Sequence, residues 1–214
     1  AITVSGSLPA RLIRLREGQN VRLDVTNATD EESSIHWHGL LLPFQMDGVP
    51  GVSFPGIAPG ETFSYEFPVR QSGTYWYHSH SGMQEAIGLY GPMVIEPESP
   101  DADQVNREHV LVLSDWSAIH PHELMRRLKL SAGLFNRQKQ TLAGLLAGKD
   151  QTHAERLEWA RMRMDPTDIS DVTATTYSYL VNGNGTRENW TGLFQPGERV
   201  RLRIINASAM TNFN

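Results

Sequence analysis

A twelve-residue stretch of this chain occurs twice. Residues 18–29 (GQNVRLDVTNAT) align without gaps on residues 197–208 (GERVRLRIINAS), with six identities at an offset of 179. Each copy opens on a glycine turn signal and then alternates apolar and polar side chains, the signature of a half-buried β-strand. A turn and strand can recur by chance in β proteins, but six identities in twelve favour a duplicated β domain. The counterpart of His36 would fall one position beyond Asn214. The second copy is therefore expected to hold only its first strands, and the chain reads as part of a longer protein.

Further strands are expected over Ile2-Thr3-Val4, Arg11 to Arg16, Val21 to Thr26, Ser33 to His38, Thr62 to Val69, Gly73 to His78, Met93 to Glu96 and residues 110–116. Turn signals such as Glu17-Gly18 and Pro59-Gly60 precede several of them. Short strands at such spacing predict a sandwich or barrel. Between them the pattern changes. Leu124, Leu128, Leu134, Leu142, Leu145 and Leu146 recur at helical spacing from about His122 to Leu146, and Thr152 to Met164 is similar. Two helices are expected there, packed by their Leu faces on the first sandwich with Trp159 as an anchor.

Two segments carry the chemistry: His36-Trp37-His38-Gly39 and Tyr77-His78-Ser79-His80-Ser81. Side chains at i and i+2 of a strand share a face, so each pair of imidazoles points one way. If the two strands are neighbours, four imidazoles converge. Neutral imidazoles suit copper, zinc, iron or nickel. Ordinary surface histidines would explain one such pair. Two pairs, holding four of the eight histidines, favour a transition-metal site.

Composition narrows the class. A formal charge of -5, with no basic patch beyond Arg126-Arg127-Leu128-Lys129, gives no footprint for nucleic acid. No apolar run reaches the length of a membrane span. The absence of cysteine excludes disulfides, thiolate metal sites and cysteine nucleophiles.

The run from His36 to Gly39, then Met46-Asp47-Gly48-Val49-Pro50-Gly51, then Gly73 to His80, resembles the first cupredoxin domain of a multicopper oxidase. It is most similar to CopA-type bacterial copper-resistance proteins. Ser114-Asp115-Trp116, residues 189–194 (NWTGLF) and residues 205–211 (INASAMT) also resemble that family. The resemblance implies an all-β fold: a cupredoxin-like Greek-key β-sandwich over residues 1–97, with the strand at 110–116 associated. A connection with two helices over 98–174 and the start of a second cupredoxin-like domain over 175–214 follow. It implies that His36 binds a type 2 copper and that His38, His78 and His80 bind a type 3 pair. The other four cluster histidines and a type 1 copper are then expected in a C-terminal part of the same protein. The implied function couples oxidation of a phenol or cuprous ion to reduction of dioxygen to water, with a role in copper resistance in the periplasm. A chain ending at Asn214 is expected to be inactive alone.

Asp47 sits in a Gly/Pro-rich loop where an acid serves as a turn former. The resemblance implies a second role, proton delivery near the type 2 copper, with Glu85 as runner-up. His120 and His122 flank Pro121 at an expected helix start, where proline is common, and are read as solvent-exposed. His109 and His153 are read as surface residues. Met83, Met93, Met125, Met162, Met164 and Met210 are assigned to packing. Two alternatives stand beside the oxidase: a periplasmic module that sequesters copper without turnover, and a zinc hydrolase, for which no open three-ligand site with a carboxylate base is specified.

Overall fold

The structure, a computed structural model, describes residues 2–99, 104–130, 140–149, 151–163, 176–209, 211 and 213. It divides into two compact units, one of residues 1–116 with 179–214 and one of residues 117–178.

Among the described residues nine strands occur, all in the first unit but for the opening residue of the eighth: β1 (Ile13–Arg16), β2 (Asn20–Thr26), β3 (His36–His38), β4 (Thr62–Pro68), β5 (Gly73–His78), β6 (Tyr90–Glu96), β7 (Arg107–Trp116), β8 (Ser178–Val181) and β9 (Val200–Asn206). One sheet runs β1-β6-β5-β3, a second pairs β2 with β4, and a third runs β8-β7-β9. The first is mixed, with β1 parallel to β6 and the other pairs antiparallel. β6 lies between β1 and β5 and is buried at six of its seven residues, so it reads as a continuous apolar run rather than an alternation. Pro92 is tolerated within it because the β1 ladder begins only at Ile13↔Met93.

β2 and β4 pair antiparallel from Asn20↔Pro68 to Thr26↔Thr62. Val21, Leu23 and Val25 pack on the core, while the residues between them are exposed. At the centre of that core Trp37 meets Tyr65 edge-on, ring centroids 5.2 Å apart at 85°. Burial pushes the phenols of Tyr65 and Tyr77 up to about 12. Both hydroxyls are hydrogen-bonded: Tyr65 accepts from the Ile35 amide, and Tyr77 donates to the Arg11 carbonyl.

The internal repeat survives as local structure. Gly18 and Gly197 adopt φ of 86° and 87°, the left-handed turn that favours glycine. Past each strand, the side-chain oxygen of Asn27 accepts from the Thr29 amide and that of Asn206 from the Ser208 amide. The pairing differs, however, since β9 runs parallel to β7 from Arg107↔Val200 to Leu113↔Asn206. Asp115 at the end of β7 accepts from the Ala209 amide and the Thr211 hydroxyl, closing the loop beyond β9 onto β7.

Several expected strands shift. Ile2-Thr3-Val4 forms no strand, only a bridge from Val4 to Ser7. Ser33–Ile35 precedes β3 without extending it, because Ser33 bridges to Ile57 instead. The strand expected over Met93 to Glu96 lengthens to β6, starting at Tyr90 rather than Met93.

In the second unit three helices occur among the described residues: α1 (Pro121–Leu130), α2 (Leu142–Leu146) and α3 (His153–Arg161). Pro121 opens α1, as its fixed φ and missing N–H suit a first helical position. Thr152 and Glu155 form a capping box on α3. The helix expected over 122–146 is represented by α1 and α2, with Leu134 outside the described residues. Of its leucines Leu124 is buried, whereas Leu142 and Leu146 are 72% and 81% exposed. The apolar stripe is shared between α1 and α2, and its leucines differ in burial, Leu128 and Leu145 being half-buried. No described helix is long and apolar enough to cross a membrane.

Candidate metal centre

β3 and β5 are antiparallel neighbours, and their register places His36 opposite His78. The alternation of the strands sends Trp37 and Tyr77 into the core and His36, His38 and His78 to the other face. His80 follows β5 directly. Ring centroids of His36 lie 5.4 Å from His38, 5.3 Å from His78 and 5.5 Å from His80. One ligand atom from each of His36, His38 and His78 lies within 4.8 Å of the others.

The outer ring nitrogens are committed. His36 Nδ1 lies 2.7 Å from the Asp47 carbonyl oxygen, which can only accept, so Nδ1 carries the proton and Nε2 is bare. His78 Nδ1 lies 2.7 Å from a Glu85 carboxylate oxygen and 3.0 Å from the Ser79 carbonyl. Its Nε2 is likewise unprotonated, and accepts from His38 Nδ1 at 3.1 Å. His38 therefore points its δ nitrogen at the shared volume. Trp76 stacks on His78 with centroids 4.2 Å apart and on His38 at 5.0 Å. The His38 imidazole is held below its ordinary value, first by burial of the ring and then by the neighbouring His78 and His36. A ring disfavoured as a cation is ready to serve as a neutral ligand.

Asp47 is positioned by its neighbour. A Cβ built on Gly48, φ 77°, would stand 1.8 Å from the Ile35 carbonyl oxygen, so only glycine lets this loop press against the start of β3. The Asp47 carboxylate lies 3.5 Å from His36 Nδ1.

Beneath the histidines lies a polar layer that sequence reasoning did not find. Gln84, 2% exposed, accepts from the Ser33 and Ser79 hydroxyls and donates to Glu31 Oε1 and the Glu32 carbonyl. Ser34 accepts from the His80 amide. The available signal was period two: Ser79 and Ser81 alternate with His78 and His80. A cavity of about 220 Å³ beside His80 is lined by Ser79, Gly82, Met83, Glu85, Ala86 and Ala209. A larger cleft of about 590 Å³ is lined by none of the histidines.

His109 has partners of its own in the first unit, and His120 and His122 belong to the second unit. His109 contacts Trp190 and the Leu193 carbonyl, and His120 stacks on His122 at 5.5 Å.

Family models described as multicopper oxidase match residues 1–100 and 107–214. The chain belongs to the multicopper oxidase family. A copper resistance protein A homolog of Pseudomonas syringae pv. tomato is 51% identical across 100% of the chain, which covers 37% of that protein. Copper resistance protein A of Escherichia coli is 49% identical across 100% of the chain and 36% of its own length. A blue copper oxidase from Nitrosomonas europaea superposes with a TM-score of 0.67 at 27% identity, over 96% of this chain and 54% of that one. The chain thus spans little more than a third of the curated relatives named here, and its sandwich is the cupredoxin-like one of this family. Copper is the family's metal, and the donor set fits it: converging neutral imidazoles, two with the outer nitrogen already tied.

Proposed function

We propose that this chain supplies His36, His38, His78 and His80 as half of the ligand set of a trinuclear copper site in a longer oxidase that acts in copper resistance. When bound, copper supplies the one-electron chemistry that couples oxidation of a phenol or cuprous ion to reduction of dioxygen to water. The observation that carries the reading is the opposition of the two His pairs on adjacent strands, with the outer nitrogens of His36 and His78 tied outside the site.

The residues of this chain then divide the work. By position in the family pattern, His36 serves the type 2 ion and His38, His78 and His80 the type 3 pair. The Asp47 carbonyl and Glu85 hold the proton of His36 and of His78 on Nδ1, keeping Nε2 directed inward. Trp76 fixes the planes of His38 and His78. The Asp47 carboxylate, more exposed than His36, relays protons from solvent. The C-terminal remainder of the same protein supplies the other four histidines and the type 1 copper. A periplasmic location fits the copper-resistance role of the relatives.

The test uses the intact gene product, measuring copper per chain and oxygen uptake with a phenol and with cuprous ion as donors. Replacing His38 and His78 together by Gln should remove copper from this site and abolish oxygen uptake, with the fold retained by circular dichroism. Wild-type copper content and uptake in that variant would sink the reading. Stoichiometric copper in the wild type without oxygen consumption would instead favour sequestration.

A further inference from the structure

We infer that Glu85 is the positioning residue of His78, forming a carboxylate–histidine–metal arrangement that sets how strongly this corner of the site holds its ion. The inference rests on the metal reading above and goes beyond it, because it separates one imidazole from the rest. His36 gives its outer N–H to a neutral backbone carbonyl. His78 Nδ1 likewise meets a backbone carbonyl, that of Ser79 at 3.0 Å, but it also has a Glu85 carboxylate oxygen at 2.7 Å. A carboxylate this close to the ring N–H favours positive charge there and pushes electron density through the ring onto Nε2.

The carboxylate is held where it must be. Glu85 opens a 3-10 turn, Glu85–Ile87, and the residue before it is the saturated, buried Gln84. The turn closes at Gly88 with φ 122°, whose amide donates to the Glu85 carbonyl at 3.0 Å. Leu89 then donates to the Gln84 carbonyl and accepts from the Ser79 amide, tying the turn back to the residue next to His78. With Trp76 stacked on one ring face at 4.2 Å and 17°, the imidazole is fixed in plane by the ring and in direction by Glu85. A flexible surface acid would supply neither constraint.

The consequence is a split between charge and geometry that two variants resolve. Glu85→Gln keeps an acceptor oxygen on a side chain of the same length and removes the charge. Glu85→Ala removes both. Loss of such an outer partner typically weakens metal binding by about 10–100-fold. In the intact protein, copper(II) titrated against a competing chelator should bind about tenfold more weakly to Glu85→Gln and nearer 100-fold more weakly to Glu85→Ala. The reduction potential of the bound ion should rise in Glu85→Gln, because the lost negative charge had favoured the oxidised ion. A residue that only braced the loop would alter the melting temperature and leave affinity order and potential unmoved. Wild-type affinity and potential in Glu85→Gln would overturn the inference even if Glu85→Ala fails to fold. His78→Gln, measured alongside, separates the two failures. If it loses copper while both Glu85 variants bind normally, the metal site stands and the role of Glu85 falls. If His78→Gln binds copper like wild type, the site reading itself falls.

Discussion

Replacing Gln84 by Glu changes one NH2 group to an oxygen in the layer that holds the histidine loops. The shape is kept, and the oxygen that accepts from Ser33 and Ser79 at 2.8 Å each is kept. Lost are the donations to Glu31 Oε1 at 2.8 Å and to the Glu32 carbonyl at 2.9 Å. A hydrogen bond to a charged group is worth about 1.5–3 kcal/mol and one to a neutral group about 0.5–1.5 kcal/mol. Together they amount to about 2–4.5 kcal/mol, before repulsion between the introduced carboxylate and Glu31 is added. A domain of this size shifts its Tm by about 2–4 °C per kcal/mol, so a loss of about 3 kcal/mol lowers Tm by about 6–12 °C. The pH dependence carries a sign. Burial and a facing carboxylate raise the folded-state pKa of the introduced group above its unfolded value. Its stabilising contribution is then present below the unfolded pKa and lost as pH rises through the folded one, so the deficit narrows in mild acid and widens toward neutrality. Thermal unfolding followed by circular dichroism between about pH 3.5 and 8 (chosen to straddle an ordinary carboxylate of about 4.3) reads this directly. Ser33→Ala, which leaves Ser79 on the same oxygen, should cost only about 1 kcal/mol. A Gln84→Glu protein that melts with wild type at neutral pH would refute the claim that this layer is a saturated network.

Glu108 bridges Arg14 at 2.8 Å and Arg203 at 2.6 Å, with the last two side chains at 46% and 11% exposure. Burial pushes its carboxyl up, but the hydrogen bonds of Arg14 and Arg203 outweigh it and hold the group below the usual carboxylate range. Its contribution is therefore present above the unfolded pKa and lost as pH falls through the folded one. Glu108→Gln should cost about 3 kcal/mol near neutrality, measured by denaturant unfolding, and the gap to wild type should close in acid. Asp47→Asn leaves the backbone carbonyl on His36 in place, so copper content should be unchanged while oxygen uptake slows by about 10²–10⁴-fold. An unaltered rate would reduce Asp47 to a turn former. Leu202 and Ile204 are 55% and 59% exposed, yet they align in the repeat with the core residues Leu23 and Val25. In the intact protein Leu202→Ala should cost about 2–5 kcal/mol, where a surface leucine would give at most about 0.5 kcal/mol.

What the sequence made legible follows from period two. Alternation alone predicted that His36 and His38 share a face and that β5 spans Gly73–His78, and it predicted the strand after each repeated glycine. Of the polar layer alternation marked only Ser79 and Ser81, on the face opposite His78 and His80, and it hid the rest. Ser33 and Ser34 look like any loop residues, and three of the four partners of Gln84 lie 51 to 53 positions away. The Glu85 contact was within reach only as a nearby acid, because a 3-10 turn has no periodic signature. The helical stretch misled for the opposite reason. Leucines at three- and four-residue spacing report which faces are apolar, but not that the helix is broken at Thr141, the N-cap before α2 begins at Leu142. Ile2-Thr3-Val4 has strand propensity without a partner to pair, and propensity yields to pairing.

The alternation that hid the polar layer also explains how so short a strand can build a metal site. β3 has three residues, too few to hold two imidazoles by its own ladder. The anchor is the residue between them. Trp37 is 2% exposed and meets Tyr65, Phe67 and Tyr77, so the backbone flanking it moves only if the aromatic core moves. The second pair is held in the same way but with different chemistry. Tyr77, before His78, is a core ring whose hydroxyl reaches the Arg11 carbonyl. Ser79 and Ser81, which flank His80, reach Gln84 and Ser34. One pair is fixed by packing and the other by packing on one side and hydrogen bonds on the other. The polar side is the one beside the cavity at His80, where a hydrophobic anchor would be open to water and a hydrogen-bonded one is not weakened by it. Rigid imidazoles on the outer face thus require immobile residues on the inner one.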